Sequence, residues 1–376
     1  MRHSAVSTIS TTSKKCNKKT GDVQLLLDVV CFYVLIGEKS KYTIRRRIFC
    51  AFIRDRIILQ LFLPYLLKSI SKSCYNVHSH QYKRKNNKNL IDTKGKVMMN
   101  FTNWKTLKKI DSHIHILPDA VHEANPDSDD VWVYADIHKF REIMAANNIE
   151  KAVIMPLNDP WLMSMEFTVE AVHKNLAAMK KLYHNEFYAF ADVDIRNTPQ
   201  RTVDAICQAI DDYLLDGLKL HPNNSGMEID SDYNHEIFAF AEQKNFPVAI
   251  HSYPNTEDDF CAANRIVKIM DKYPKLKLIV SHMGAFQWEQ LIQLNCFVDM
   301  SAILPDYIRN YGIAKTNEIL RAFGVERLLF ATDYPDNRYL QPNEIYNCYY
   351  NTLNQMDFTQ DEAEQIGYGN AKKLFG

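Results

Sequence analysis

The chain has 376 residues, of which 46% are hydrophobic and 24% charged, a composition typical of globular proteins. This composition excludes a fibrous or wholly disordered protein. The formal net charge is zero, but residues 1–100 carry 20 Lys/Arg and 5 Asp/Glu, whereas the remainder carries 25 and 40. The difference indicates two regions, a basic N-terminal extension over residues 1–100 and a second region over residues 101–376.

The extension contains two apolar runs, over residues 24–36 and 57–67, both shorter than the ~20 residues of a transmembrane helix. Asp28 and Pro64 interrupt these runs, so we expect no membrane span. Its charges and apolar stretches do not follow the order of a signal peptide. The chain's eight cysteines form no CxxC pair, which predicts reduced thiols in a cytoplasmic protein.

The role of the extension is open at this point. It has clusters of lysine and arginine at residues 14–19, 45–47 and 83–88, and such clusters bind membrane surfaces or nucleic acid. Met98 or Met99 is an alternative start of the protein. We expect the extension to stand apart from the catalytic fold, and we expect no nucleic-acid partner for the second region.

The second region alternates short β-branched or aromatic runs with longer amphipathic stretches. The runs lie at residues 109–117, 151–156, 187–194, 217–222, 246–252, 275–284, 296–301 and 327–335. Helices are predicted between them, for example over 136–148, 202–215, 235–245 and 263–273. Eight strands, each followed by a helix, predict an α/β protein with a (β/α)8 TIM barrel, which typically has ~250 residues. A doubly wound open sheet is the alternative, but no glycine-rich phosphate loop follows the first run.

Metal-binding residue types follow several of these predicted strands. His113 and His115 close the first run, His251 closes the fifth and Asp333 the eighth. Residues two apart in a strand project to the same face, so both imidazoles of the HxH pair should point into the barrel mouth. A shared cation would offset the cost of burying these polar groups. The pattern predicts one divalent metal, with Zn favoured and Mn, Fe or Co as alternatives, bound by His113, His115, His251 and Asp333.

Three other polar residues end predicted strands. His282 ends the sixth run, where it can orient a metal-bound water or polarise a substrate carbonyl. Lys219 and His221 end the fourth run on one face, although His221 could equally lie in a loop before Pro222. For Lys219, a buried ammonium paired with an acidic neighbour is favoured over a carbamylated ligand of a second metal.

The second region resembles the amidohydrolase-related family of the metal-dependent amidohydrolase superfamily, in its aminocarboxymuconate-semialdehyde decarboxylase-like branch. The resemblance covers about residues 109–376, and its marks are IDSHIHI, GLKLHP, PVAIHS, LKLIVSHMG, RLLFATDYP and NAKKLFG. It implies a metal-dependent (β/α)8 enzyme in which the HxH pair, His251 and Asp333 match the metal ligands and His282 matches a catalytic histidine. Lys219 matches the strand that carries a carbamylated lysine in two-metal members, so the metal count stays open.

The leading functional hypothesis is hydrolysis of an amide, lactone or ester bond of a small molecule by a metal-activated water. Asp333 would transfer the proton, and His282 would stabilise the oxygen that gains charge. The alternative is non-hydrolytic decarboxylation of a small organic or aromatic acid, in which Asp333 protonates the carbon that loses carbon dioxide. Arg338 is then a candidate for binding the carboxylate.

A third hypothesis, of a different class, makes the protein a nucleic-acid or membrane-surface binding module. It predicts salt-sensitive binding that disappears when residues 1–97 are removed. The substrate itself is not specified by the sequence, and a homo-oligomer is compatible with it. Polar and aromatic residues expected at the rim suit a small acid, amide or lactone. They are Asn158, Asp159, Trp161, Asn223, Asn224, Tyr253, Tyr334 and Asp336.

Overall fold

The structure is a computed structural model that describes residues 102–124, 131–159, 168–337 and 340–376. The basic extension, with its two apolar runs, lies outside the described residues, as do Trp161 and Arg338. Within the described ranges, no helix combines the length and apolar character needed to span a bilayer. The four cysteines of these ranges are free thiols at positions 207, 261, 296 and 348.

Eight parallel strands form one sheet in which spatial order follows sequence order. The strands are β1 (Lys109–Ile114), β2 (Ile149–Ile154), β3 (Phe187–Ala191), β4 (Gly217–Leu220), β5 (Val248–His251), β6 (Leu278–Ser281), β7 (Phe297–Asp299) and β8 (Leu328–Leu329). The backbone of Ser112 donates to the Phe330 carbonyl at 2.9 Å, and that of His115 donates to the Tyr334 carbonyl at 2.8 Å. These bonds join β1 to the segment that begins with β8, so the predicted (β/α)8 barrel is confirmed.

Helices alternate with the strands around the barrel. They are α1 (Asp119–Ala124), α2 (Ile137–Ala146), α3 (Val169–Leu182), α4 (Pro199–Asp211), α5 (Pro222–Ser225), α6 (Asp232–Lys244), α7 (Ala263–Lys272), α8 (Ile303–Phe323), α9 (Ile345–Leu353), α10 (Gln360–Glu364) and α11 (Asn370–Phe375). Short 3₁₀ segments lie at Val131–Tyr134, His282–Leu291 and Val325–Arg327, and a π-helical turn lies at Gln365–Gly369.

Local capping explains where α4 differs from its predicted bounds of 202–215. Thr198 accepts a hydrogen bond from the backbone N–H of Arg201, and Pro199 occupies the first turn, so the helix begins before its apolar stripe. It ends at Asp211, and Leu214 adopts a φ of 55°. A leucine in the left-handed region cannot continue a right-handed helix, so the chain turns there into β4.

Two buried hydrophobic clusters form the core, and buried polar residues lie at one end of the barrel. One buried cluster includes Ile110, Phe190, Ile279 and Leu329, and a larger one joins the strands to the helices. Gly217 begins β4 because a Cβ there would lie 2.7 Å from both the Phe190 ring and the Pro247 carbonyl. Farther along the strands the buried side chains become polar, so the polar site lies at the carboxyl ends of the strands, as is usual for this fold.

Candidate active site

The predicted site residues converge at the carboxyl ends of β1, β5, β6 and β8. The Nε2 atoms of His113 and His115 each lie 3.2 Å from Oδ1 of Asp333. His113, His282 and Asp333 each offer a ligand atom within 4.8 Å of the others. His251 joins them through its Nδ1, which lies 3.0 Å from Nε2 of His282. The structure therefore brings all five residues into one cluster, although they span more than half of the chain.

Two of these residues have an uncommon backbone conformation. His282 has a φ of 60° and Asp333 a φ of 65°, in the left-handed region that non-glycine residues rarely occupy. The backbone N–H of Asp333 donates to the His113 carbonyl at 2.9 Å, which holds this conformation. Such strained positions cluster at active sites because the surrounding structure must maintain them.

Backbone carbonyls determine which ring nitrogen carries the hydrogen in two of the histidines. His115 Nδ1 lies 2.7 Å from the carbonyl oxygen of Met155, and His282 Nδ1 lies 2.8 Å from that of Ser301. A carbonyl oxygen can only accept a hydrogen bond, so both Nδ1 atoms donate. In the neutral rings, each Nε2 atom therefore has a lone pair directed into the site.

A carboxylate has the same effect on His113. Asp299, the fully buried last residue of β7, has Oδ2 3.1 Å from His113 Nδ1. The buried hydroxyl of Ser301 lies 3.0 Å from His113 Nδ1 and 2.9 Å from His282 Nδ1, and it also bonds to Asp299. Carboxylates placed behind histidines in this way fix the ring orientation and raise its basicity. Neither Asp299 nor Ser301 was predicted from the sequence, although two polar residues in the buried run CFVDMS were an available signal.

The resulting set of donors fits a divalent metal ion. Burial lowers the pKa of His113 to about 4, so its ring is neutral at neutral pH. Burial also opposes the charge of Asp333, but the imidazoles around it, first His113, hold the pKa of its carboxyl well below the usual value. Lone pairs on His113 Nε2 and His115 Nε2 then face the same anionic oxygen at 3.2 Å. A divalent cation between these groups would offset their repulsion, and imidazole with carboxylate suits Zn, Mn, Fe or Co.

Lys219 lies inside the barrel next to this cluster. Its Nζ is 3.2 Å from His113 Nε2 and 3.3 Å from Ser281 Oγ, and the side chain is fully buried. Burial lowers the pKa of Lys219 to about 8, while the nearby carboxylates of Asp299 and Asp333 raise it. Its hydrogen-bond partners among the described residues are a histidine and a serine rather than a carboxylate, so a buried ammonium paired with an acidic neighbour stays a prediction.

His221 lies in a loop, which is one of the two placements considered from the sequence. β4 ends at Leu220, and His221 caps the short helix α5, its Nδ1 accepting from the backbone N–H of Asn224 at 3.2 Å. Its ring nevertheless stays at the site, stacked on His251 with ring centroids 3.7 Å apart and an angle of 14° between the planes.

Aromatic rings lie next to two histidines of the cluster. Trp132, which the sequence analysis did not single out, has its ring centroid 5.8 Å from that of His115. Tyr253, a predicted rim residue, has its ring centroid 5.8 Å from that of His282. Tyr334, also predicted at the rim, is instead fully buried. Its backbone pairs with Ile114 at the end of β1, and its ring packs against Phe140 with ring centroids 5.0 Å apart.

One more buried carboxyl, Asp111, was missed in the sequence. Its Oδ1 accepts from the backbone N–H of His113 at 3.3 Å and of Thr332 at 3.1 Å. Its Oδ2 accepts from the hydroxyls of Thr332 at 2.7 Å and Tyr346 at 2.6 Å. Asp111 thus links the segment that contains His113 to Thr332, the residue before Asp333. This link sets the spacing between two of the candidate ligands.

Comparison with known protein families shows to which family this barrel belongs. A family model described as Amidohydrolase matches residues 110–376. The chain belongs to the amidohydrolase family. A relative, the gamma-resorcylate decarboxylase of Polaromonas sp. JS666, is 26% identical over 125 residues, which cover 28% of this chain. The match spans only 36% of that relative's length. The resemblance inferred from the sequence is thereby confirmed, and the protein is an enzyme of the amidohydrolase superfamily.

Solved structures share the fold of the described region. A putative amidohydrolase from Staphylococcus aureus is 20% identical, with a TM-score of 0.55 over 72% of this chain and 100% of that one. A dihydroxybenzoic acid decarboxylase from Polaromonas sp. JS666, with bound manganese and the inhibitor 2-nitroresorcinol, is 16% identical. Its TM-score is 0.53, over 72% of this chain and 97% of that one. At these identities the likeness concerns the fold alone.

Proposed function

We propose that this enzyme is a divalent-metal-dependent decarboxylase of a hydroxylated aromatic acid. The observation that carries the proposal is the convergence of two imidazole lone pairs on one oxygen of Asp333, with aromatic rings next to His115 and His282. A sequence relative and a solved structure, both from Polaromonas sp. JS666, are named for the decarboxylation of dihydroxybenzoates. They favour decarboxylation, the alternative from the sequence analysis, over its leading hypothesis of hydrolysis.

In this proposal the metal is bound by His113, His115, His251 and Asp333, with His282 beside it. A divalent cation at this position supplies Lewis-acid chemistry that orients and polarises substrate oxygens. Manganese is the first metal to test because the related decarboxylase contains it. Zinc, favoured from the ligand types, is the second.

Asp333 moves the proton in the proposed reaction. Its carboxyl is ionised in the free protein, so it can take a proton from a hydroxyl of the substrate. It then delivers that proton to the ring carbon that carries the carboxylate. The bond between this carbon and the carboxylate breaks, its electron pair returns to the ring, and carbon dioxide leaves. The phenolate that remains regains a proton from solvent.

His282 has a supporting role that follows from its tautomer. With Nδ1 donating to the Ser301 carbonyl, its Nε2 is an acceptor, and it receives the hydrogen bond of His251 Nδ1 at 3.0 Å. This favours the role of orienting the His251 ring, with the Nε2 lone pair of His251 free for the metal, over the role of donating to an oxygen that gains charge. Asp299 and Ser301 hold the rings of His113 and His282 in this orientation.

The test is a direct product assay. The purified protein is loaded with Mn²⁺ or Zn²⁺ and incubated with 2,6-dihydroxybenzoate, and carbon dioxide and resorcinol are measured. We expect the two products in equal amounts and no product from the Asp333→Asn variant. If hydroxybenzoates are left intact while amides or lactones are cleaved, the enzyme is a hydrolase and the proposal is wrong.

A further inference from the structure

The hydrogen bonds of His221 favour the opposite tautomer from that of the imidazoles around it. The backbone N–H of Asn224 can only donate, so the Nδ1 atom of His221 that receives it must have a lone pair. In the neutral ring, the hydrogen is therefore on Nε2. This nitrogen makes no hydrogen bond to the described residues, and the side chain is partly exposed.

The other imidazoles of the cluster present lone pairs instead. His115 and His282 donate from Nδ1 to carbonyl oxygens, so each Nε2 is an acceptor. Because His282 Nε2 is an acceptor, His251 Nδ1 must donate to it at 3.0 Å, and the Nε2 atom of His251 also has a lone pair. Among the imidazoles of the described cluster, His221 thus differs in offering an N–H at Nε2.

The stacking of His221 on His251 keeps this donor next to the candidate metal ligands. An aromatic acid brings a carboxylate, and a carboxylate oxygen requires donors rather than further lone pairs. The neighbouring donor on the same segment, Lys219, is fully buried and directed to His113 and Ser281. His221 is therefore the imidazole placed to meet a carboxylate that enters the mouth.

We infer that His221 contacts the substrate and donates a hydrogen bond from Nε2 to its carboxylate, so that the site selects molecules with a carboxylate. The inference rests on the proposed function for the identity of the substrate.

The test compares two molecules that differ only in the carboxylate on the metal-loaded protein. The affinity for 2,6-dihydroxybenzoate is measured as its KM for carbon dioxide release, or by direct titration where none is released, and the affinity for resorcinol is measured as its inhibition constant. His221→Phe keeps a planar ring to stack on His251 but has no donor, whereas His221→Gln restores an N–H without the aromatic ring. We expect His221→Phe to weaken binding of 2,6-dihydroxybenzoate about 10- to 100-fold, the range for a hydrogen bond to a charged group. Binding of resorcinol and metal content should stay unchanged, and His221→Gln should recover part of the loss. His235→Phe, on α6, is the matched control, and it should bind both ligands as the wild type does.

Equal binding of 2,6-dihydroxybenzoate by His221→Phe and the wild type overturns the inference. So does an equal loss for both ligands, or a loss of metal. If His221→Phe does not fold, ¹⁵N spectra of the wild-type imidazoles decide, because a hydrogen on Nδ1 of His221 contradicts the inference. A wild-type protein that binds the acid without releasing carbon dioxide contradicts only the proposed reaction, and the comparison of variants still tests His221.

Discussion

Two lysines are fully buried in the described part of the barrel, one near each end of the strands, and their partners differ. Lys109 begins β1 and donates to the backbone carbonyls of Trp104 at 2.8 Å and Leu107 at 2.5 Å. Lys219, near the end of β4, faces a histidine nitrogen and a serine hydroxyl. Burial lowers the pKa of Lys109 to about 7 and that of Lys219 to about 8.

The comparison shows that a buried charge does not by itself indicate a functional site. Lys109 is surrounded by carbonyl groups of its own segment, which need a donor wherever they are buried. Lys219 adjoins a cluster of histidines and carboxylates, and such clusters are typical of sites that bind a cation or a substrate. Substitutions at the two ends of the barrel should therefore separate stability from metal binding and activity.

The largest effect is expected at the carboxyl ends of the strands. His113→Ala should abolish both bound metal and activity, with a fall in kcat of more than about 1000-fold, because it removes a ligand and the acceptor that faces Asp333. Metal analysis of the purified variant and the carbon dioxide assay measure this. A variant with full metal content and full activity would show that the cluster is not the active site.

At the other end, Lys109→Met should destabilise the protein and leave the site intact. The substitution keeps the buried volume but deprives the carbonyls of Trp104 and Leu107 of their donor, at a cost of about 2–4 kcal/mol in the free energy of unfolding. Denaturant unfolding measures the cost, and metal affinity of the folded variant should equal that of the wild type. A loss of metal affinity would contradict the prediction that Lys109 contributes to stability and not to metal binding.

An intermediate effect is expected for Asp299→Asn. The amide would direct its N–H toward His113 Nδ1 and favour the tautomer with hydrogen on Nε2, which cannot bind a metal. We expect metal affinity to fall about 10- to 100-fold. Competition with a chelator measures this, and Asp216→Asn, which alters a carboxylate bonded to Ala189 and Lys180 at the start of β4, is the control.

The smallest effect is expected for Lys219→Met. Removing a positive charge that lies 3.2 Å from His113 Nε2 should strengthen divalent metal binding a few-fold, because Asp299 and Asp333 then lack a counter-charge. The metal content per chain should not change. A loss of metal from this variant would instead support a carbamylated Lys219 as a metal ligand.

The sequence was sufficient for the architecture and for a set of candidate site residues that the barrel brings together. Strand and helix patterns depend on side chains a few positions apart, so the eight runs and the helices between them could be read locally. The parity of the HxH pair, together with the polar residues that follow apolar strands, indicated His113, His115, His251, His282 and Asp333. Cap and turn geometry shifted the element bounds, as in α4, because an apolar stripe does not specify where a helix begins.

The tertiary structure alone decided how each imidazole is held. Asp299 meets His113 across 186 positions, and Asp111 meets Thr332 across 221, so no local pattern reveals either pair. His115 and His282 are oriented by backbone carbonyls of Met155 and Ser301. Every residue type has such a carbonyl, so the sequence determines which histidines are present, whereas the barrel determines which of their nitrogens accept and which donate.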